Sequence, residues 1–339
     1  MIQIIKYQSL KSHNSFGIEA SAEFFCEVST EAELFQALEF ATKSSLPILI
    51  LGGGSNLLLT KNYEGLVVKI GNKGIEIVEE TQSTVVIKVA AGENWHDLVC
   101  YCLQNNWFGM ENLSLIPGNV GASPMQNIGA YGIEAKNLIQ SVRFLAIENM
   151  KWENLEAEKC NFGYRESIFK HELKGKVIIW SVNFCLQKKA NVKVDYGDIQ
   201  AVLSRKGIEK PSPGDVSEAV IEIRRSKLPD PLKIGNAGSF FKNPVVENSV
   251  YEDIKSKYPS VPSYLVDANH VKVPAGWLIE NAGWKGKKLG SYGVHEKQAL
   301  VLVNYGGASG LEIWNLSKEI QNDIKAKFNI DLQIEVNLV

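Results

Sequence analysis

Apolar positions recur at two different periods along this chain, and the switches between them mark its elements. Leu34, Ala37, Leu38 and Ala41 fall at i, i+3, i+4 and i+7, one face of a helix. Thr30-x-x-Glu33 forms a capping box that predicts where this helix starts. Pro47-Ile48-Leu49-Ile50-Leu51 then reads as a short buried strand running straight into Gly52-Gly53-Gly54-Ser55-Asn56. Val67-Val68-Lys69-Ile70 and residues 84–92 read as further strands. Trp95, Leu98, Val99, Cys102 and Leu103 share one helical face, and residues 177–184 are strand-like. A helix from about Asp215 buries Val216, Val220 and Ile223, and Pro229 and Pro231 stop it. Residues 273–283 read as a short helix with Gly283 at its C-terminal end, and residues 294–303 lead into a buried strand. Ser309-x-x-Glu312 caps a last helix with Ile313, Leu316, Ile320, Ile324 and Phe328 inward. Leu332-Gln333-Ile334-Glu335-Val336 alternates, which predicts a strand with Gln333 and Glu335 on one face.

Composition narrows the function classes. The 339 residues suffice for two or three domains, and a 45% hydrophobic content supports a sizeable core. Thirty-six basic against 38 acidic residues leave a net charge of −2, and no Lys/Arg run occurs, so no nucleic-acid partner is expected. Cys26, Cys100, Cys102, Cys160 and Cys185 are an odd number without CxxC spacing. That predicts reduced thiols in a cytoplasmic protein, with neither a disulfide frame nor a metal site. Met1-Ile2-Gln3-Ile4-Ile5-Lys6 lacks a signal-peptide layout, and no apolar run approaches ~18 residues, so no membrane span is expected.

Four stretches carry candidate chemistry. The Gly52-Gly53-Gly54 triplet after a strand offers consecutive backbone N–H groups to an anion such as a diphosphate, although a plain turn explains it equally. A Rossmann fingerprint fails because position 57 is leucine, and no Walker A Gly-Lys-Ser/Thr occurs. Residues 116–132 form a long Gly-, Asn- and Pro-rich span with little to fill a core, as expected of a loop that wraps a ligand. Gly235-Asn236-Ala237-Gly238-Ser239-Phe240-Phe241-Lys242-Asn243-Pro244 delivers one hydroxyl against two aromatics. Arg165 lies among aromatic and apolar residues, where it could snorkel, pair with Glu166 or fork onto a carboxylate. Arg224, Arg225 and Lys227 fall in a last helical turn, where the helix dipole alone would explain them. His96 reads as an exposed or half-buried helix histidine, and His295 as structural, since no second histidine or acid spacing builds a triad or metal site with it.

These stretches, over roughly residues 13–339, resemble the UDP-N-acetylenolpyruvoylglucosamine reductase (MurB) family. The resemblance implies an α+β fold: a two-subdomain FAD-binding part of the VAO/PCMH type and a C-terminal α+β substrate-binding domain. Its divisions would be 1–75, with a strand at 330–339 that could return to it, then 76–228, then 229–329. It implies FAD contacts from Gly53, Gly54, Ser55, Asn56, Pro117, Gly118, Gly121, Ala122, Gln126, Asn127, Ile128, Gly129, Gly132 and Arg224. Neither stretch holds the histidine or cysteine to which many relatives of this fold attach flavin, so non-covalent FAD is expected. Substrate contacts would come from Tyr196, Lys227, Asn243, Tyr264 and Gln298, with Tyr264 on a closing loop. Ser239, Arg165 and Glu335 would be catalytic.

The implied reaction runs in two steps. NADPH reduces FAD, and the reduced flavin passes hydride to the enolpyruvyl group of UDP-N-acetylglucosamine enolpyruvate. Negative charge then spreads into the neighbouring carboxylate, where Arg165 is a fixed cation and Glu335 helps by hydrogen bonding if it carries a proton. Ser239 would protonate the carbon: a weak acid suffices because an enolate carbon is a strong base. The expected partners are these two small molecules, and a monomer is expected. The rival readings are a flavin oxidase acting on another sugar or alcohol and a non-catalytic nucleotide-sugar or flavin-binding module.

Overall fold

The computed structural model describes residues 2–339; Met1, the first residue of the N-terminal stretch read above, lies outside them. Two compact units emerge, and neither is continuous in sequence. The first comprises residues up to Lys6, Phe24–Gly53 and Gly65–Ser226; the second comprises Tyr7–Glu23, Gly54–Glu64 and Lys227–Val339.

In the first unit, helix α1 (Glu31–Lys43) starts where its capping box predicts. The Thr30 hydroxyl accepts from the Glu33 N–H, and the Glu33 carboxylate accepts from the Thr30 N–H. Leu34, Ala37, Leu38 and Ala41 are buried. Strand Ile48–Leu51 runs parallel to Tyr63–Ile70, with Leu49 beside Val67. A five-stranded antiparallel sheet follows, ordered Lys151–Glu156, Ile139–Ala146, Val177–Gln187, Thr84–Ala90 and Ile75–Glu80. Its middle strand is buried along nearly its whole length, as a strand covered on both faces must be. Helix α2 (Trp95–Gln104), capped by Asn94, sets Trp95 edge-on to Phe184 of that strand. Helices α3 (Ile199–Arg205) and α4 (Pro213–Lys227) share a small separate core of Ile199, Val202, Leu203, Val216, Ala219, Val220 and Ile223.

In the second unit, α5 (Asn248–Lys257) accompanies a sheet of Val245–Glu247, His270–Lys272 and Tyr264–Leu265. Helix α6 (Ala275–Asn281) is followed by Gly283 in the left-handed region, φ +85°, as expected of a helix-ending glycine. Helix α7 (Gly310–Phe328) has the predicted Ser309–Glu312 capping box and buries all five predicted positions. Tyr258, Trp277 and Phe328 meet as a ring cluster with centroids 5.6–6.0 Å apart.

One expectation needs correction: residues 332–336 are not a regular strand. They make one bridge, Ile334 opposite Phe241, and the regular strand comes later, at Asn337–Leu338, parallel to Leu57–Leu58. Residues 116–132 form the expected loop, with local order that the sequence reading did not specify: a 3-10 turn spans Val120–Ala122, and Gly129–Ala130 pairs with Ile133–Glu134. In both cases the partner is a backbone segment, which side-chain periodicity does not register.

Candidate active site

Each unit gathers a part of the expected site. In the second unit, Gly238 turns the chain with φ +71°, and the Asn236 side chain fixes that turn. Its Oδ1 accepts from the Gly238 N–H at 3.0 Å, and its Nδ2 donates to the Ile234 and Pro229 carbonyls. Asn236 is therefore used in building the turn that presents Ser239. Beyond Ser239 the chain is extended. The Phe240 N–H donates to the Leu300 carbonyl, the Glu335 N–H to the Phe240 carbonyl at 2.9 Å, and the Lys242 N–H to the Gln333 carbonyl. The half-buried Ser239 and Glu335, far apart in sequence, thus lie on neighbouring segments. Buried Phe240 and Phe241, the two residues after Ser239, pack edge-on at 5.3 Å.

Asn56 reaches the same place: its Nδ2 donates to the Glu335 carbonyl at 3.3 Å. Gly54 precedes it with φ +64°, and a Cβ there would sit 2.0 Å from the His13 carbonyl oxygen. Asn243 Oδ1 accepts from the Ala275 N–H at the start of α6. Gln298 Oε1 accepts from the Leu300 N–H at 3.4 Å, and Tyr264 is half exposed on its short strand. His295 is buried, its Nδ1 accepting from the Lys297 N–H, which suits a structural role.

In the first unit the long loop folds back on the glycine triplet. A Cβ on Gly53 would stand 2.9 Å from both Gly118 Cα and Asn119 Oδ1, so the two stretches expected to hold FAD touch through backbone. Gly118 has φ +105°, and a Cβ on Gly121 would meet Ala91 Cβ at 2.7 Å. Only glycine permits such close approach. Asn127 has φ +44° and commits its side chain to the loop. Its Nδ2 donates to Glu134 and to the Gly163 carbonyl, and its Oδ1 accepts from the Lys136 N–H.

Arg165, itself left-handed at φ +58°, donates to the Asn127 and Gly129 carbonyls at 3.3 and 2.6 Å and is thereby tied to this loop. Arg224 on α4 donates from Nε to the Leu115 carbonyl at 3.2 Å. Burial holds its guanidinium below the usual arginine value; Arg165 nearby adds to that, and Tyr131 opposes it. An arginine so placed stays charged at neutral pH. Exposed Tyr196 packs against Gly132, whose Cβ would stand 3.4 Å from the Tyr196 Cβ.

The fit to a dinucleotide can be judged on this geometry. Two glycine stretches in contact, left-handed residues along the loop and two arginines beside it make a backbone cradle with positive charge, suited to a diphosphate. The Ser123 hydroxyl is buried in the loop without a hydrogen-bond partner, a polar group left for a ligand to satisfy. FAD fits these residues. Among the described residues, no group of three His, Cys, Asp or Glu is arranged to hold a metal ion, and no helix is long and apolar enough to cross a membrane.

Several positioning residues escaped the sequence reading. Asn112 donates to the Tyr131 and Lys193 carbonyls, Ser114 meets Ser217 of α4 at 2.7 Å, and the His96 imidazole takes the Leu115 N–H. Their partners are distant backbone or hydroxyl groups, so no spacing signals them.

A family model of the FAD binding domain matches residues 22–149. A model of the UDP-N-acetylenolpyruvoylglucosamine reductase C-terminal domain matches residues 230–339. The UDP-N-acetylenolpyruvoylglucosamine reductase of Flavobacterium johnsoniae is 50% identical, over 98% of this chain and 98% of its own. That of Bacteroides fragilis is 47% identical over the same shares, and that of Pseudomonas savastanoi pv. phaseolicola 46% over 99% of each. The crystal structure of the Thermus caldophilus enzyme is similar in fold, with a TM-score of 0.67 over 100% of this chain and 98% of that one, at 20% identity. Relatives this similar over nearly the whole length establish that the chain belongs to the UDP-N-acetylenolpyruvoylglucosamine reductase (MurB) family.

Proposed function

We propose that this protein reduces UDP-N-acetylglucosamine enolpyruvate to UDP-N-acetylmuramate with NADPH and non-covalent FAD, in the synthesis of peptidoglycan precursors. The observation that carries this reading is the backbone pairing of Phe240 with Glu335, which brings the segments bearing Ser239 and Glu335 together from distant parts of the chain. Residues 1–75 and 76–228 would form the two parts that hold FAD, and 229–329 the part that takes the sugar nucleotide.

Gly53, Gly54, Ser55 and Asn56, the loop from Pro117 to Gly132 and Arg224 would hold FAD, which supplies hydride-transfer chemistry when bound. Lys227 would bind the substrate diphosphate, and Tyr196, Asn243, Tyr264 and Gln298 the rest of the nucleotide sugar. Arg165 orients the enolpyruvyl carboxylate and stabilises the negative charge that develops there. Glu335 hydrogen-bonds the same group. Ser239 delivers its hydroxyl proton to the carbon that becomes carbanionic. The protein would act in the cytoplasm as a monomer.

Purified protein tests the reading: flavin absorbance is recorded, and NADPH loss is followed with and without the enolpyruvyl sugar nucleotide. NADPH loss that requires the nucleotide supports the reductase. Oxygen-driven turnover without it would indicate an oxidase instead, and bound nucleotide without NADPH loss a binding module.

A further inference from the structure

His96 takes no part in the chemistry proposed above, yet it grips the segment from which the cofactor loop departs. It sits half-buried in the first turn of α2, and its Nδ1 lies 3.0 Å from the Leu115 nitrogen. The amide must donate, so Nδ1 accepts and the ring is the neutral tautomer with its proton on Nε2. Nε2 faces Cys100 Sγ at 3.8 Å, one turn further along the helix.

Leu115 itself is strained. Its φ is +58°, a region that leucine seldom adopts and that surrounding contacts must enforce. Both ends of this residue are held: the N–H by His96 and the carbonyl by Arg224 Nε at 3.2 Å. Two residues later come Pro117 and Gly118, and Gly118 abuts Gly53.

We propose that His96 is a positioning residue for the cofactor end of the site: its neutral imidazole holds Leu115 in the left-handed turn, and Leu115 in turn fixes Arg224 and the start of the 117–121 loop. This rests on the reading of that loop as the FAD cradle. Protonation of His96 removes the acceptor and makes the ring a cation. The groups facing it are Asp97 and Cys100 on α2 and Arg225 and Arg224 on α4. Burial disfavours the charged ring, Asp97 favours it, and the two arginines disfavour it. With the folded value depressed, the unfolded chain takes up the proton first. The contribution of the neutral ring is therefore complete above the ordinary histidine value near 6.5 and is lost as pH falls below it.

Two variants of the full chain separate positioning from bulk packing. His96→Asn keeps an acceptor, Oδ1, near the place of Nδ1; His96→Leu keeps volume and loses the acceptor. FAD affinity of the apoprotein is measured by flavin fluorescence between pH 5.5 and 8, with amide hydrogen exchange at Leu115 in parallel. At pH 7.5, His96→Leu should weaken FAD binding by roughly tenfold or more and speed Leu115 exchange, and His96→Asn should stay within about threefold of the native protein, because only the former leaves the partly buried Leu115 N–H without an acceptor. In denaturant unfolding the native protein should lose stability as pH falls below 6.5, and His96→Asn should lose less. Equal losses of FAD affinity in both variants, or the same pH dependence of stability in the native protein and His96→Asn, would overturn the proposal. If the native protein binds no FAD, the cofactor reading fails. The His96 bond is still judged then, because unchanged Leu115 exchange in His96→Leu refutes it alone.

Discussion

Gly54 shows how narrowly single residues are constrained at this site. Its φ of +64° is costly for any side chain, and a Cβ would stand 2.0 Å from the His13 carbonyl. Gly54→Ala should cost more than about 1 kcal/mol, since strain and backbone collision act together. A thermal unfolding midpoint equal to the native one would contradict this. At this scale the sequence draws the eye to Ser239, because small residues and aromatics frame one hydroxyl, and hides the residues that support its turn. Asn236 is silent in the sequence on this role, but in the fold its amide closes the turn. His96 reads as an ordinary helix histidine because the group it holds, the Leu115 N–H, is a backbone atom that every residue but proline possesses.

Among the elements, α1 and α7 can be read from the sequence almost to the residue, since a reciprocal capping box and an uninterrupted apolar face agree at each. Thr30→Ala removes the acceptor for the Glu33 N–H and should lower stability by ~1 kcal/mol, measured by denaturant unfolding. A midpoint that does not move would show that the cap is redundant. Gly310, the first residue of α7, tests packing against propensity. Alanine is favoured over glycine within a helix by up to ~1 kcal/mol. Here, however, its Cβ would stand 1.8 Å from the Leu59 carbonyl oxygen. Gly310→Ala should therefore destabilise by about 1–3 kcal/mol, and a gain in unfolding midpoint would refute that contact. Helix α3 went unread: Ile199, Val202 and Leu203 fall at i, i+3 and i+4, but over seven residues, barely two turns, with no side-chain cap to mark its start.

Taken as a whole, the molecule interleaves its two units along the sequence, and composition offers no hint of this. The pairing of Asn337–Leu338 with Leu57–Leu58 is a long-range backbone contact between short segments without strong periodicity. The bias toward reduced thiols is easier to read. Burial raises Cys26, Cys102 and Cys160 to about 12, so their thiolates are scarce near neutral pH, whereas Cys100 and Cys185 are only half-buried. A thiol reagent at pH 8 should label no more than Cys100 and Cys185 in the folded protein and all five after denaturation. Rapid labelling of Cys102 in the folded state would contradict the packing of α2.

The central claim is that Ser239 gives its proton to substrate, and half-reactions isolate that step. Ser239→Ala should keep its FAD and oxidise one equivalent of NADPH at close to the native rate. In a stopped-flow trace, its reoxidation by UDP-N-acetylglucosamine enolpyruvate should be slower by roughly 10²–10⁴-fold, the usual contribution of a positioned general acid. Reoxidation at the native rate would contradict the account.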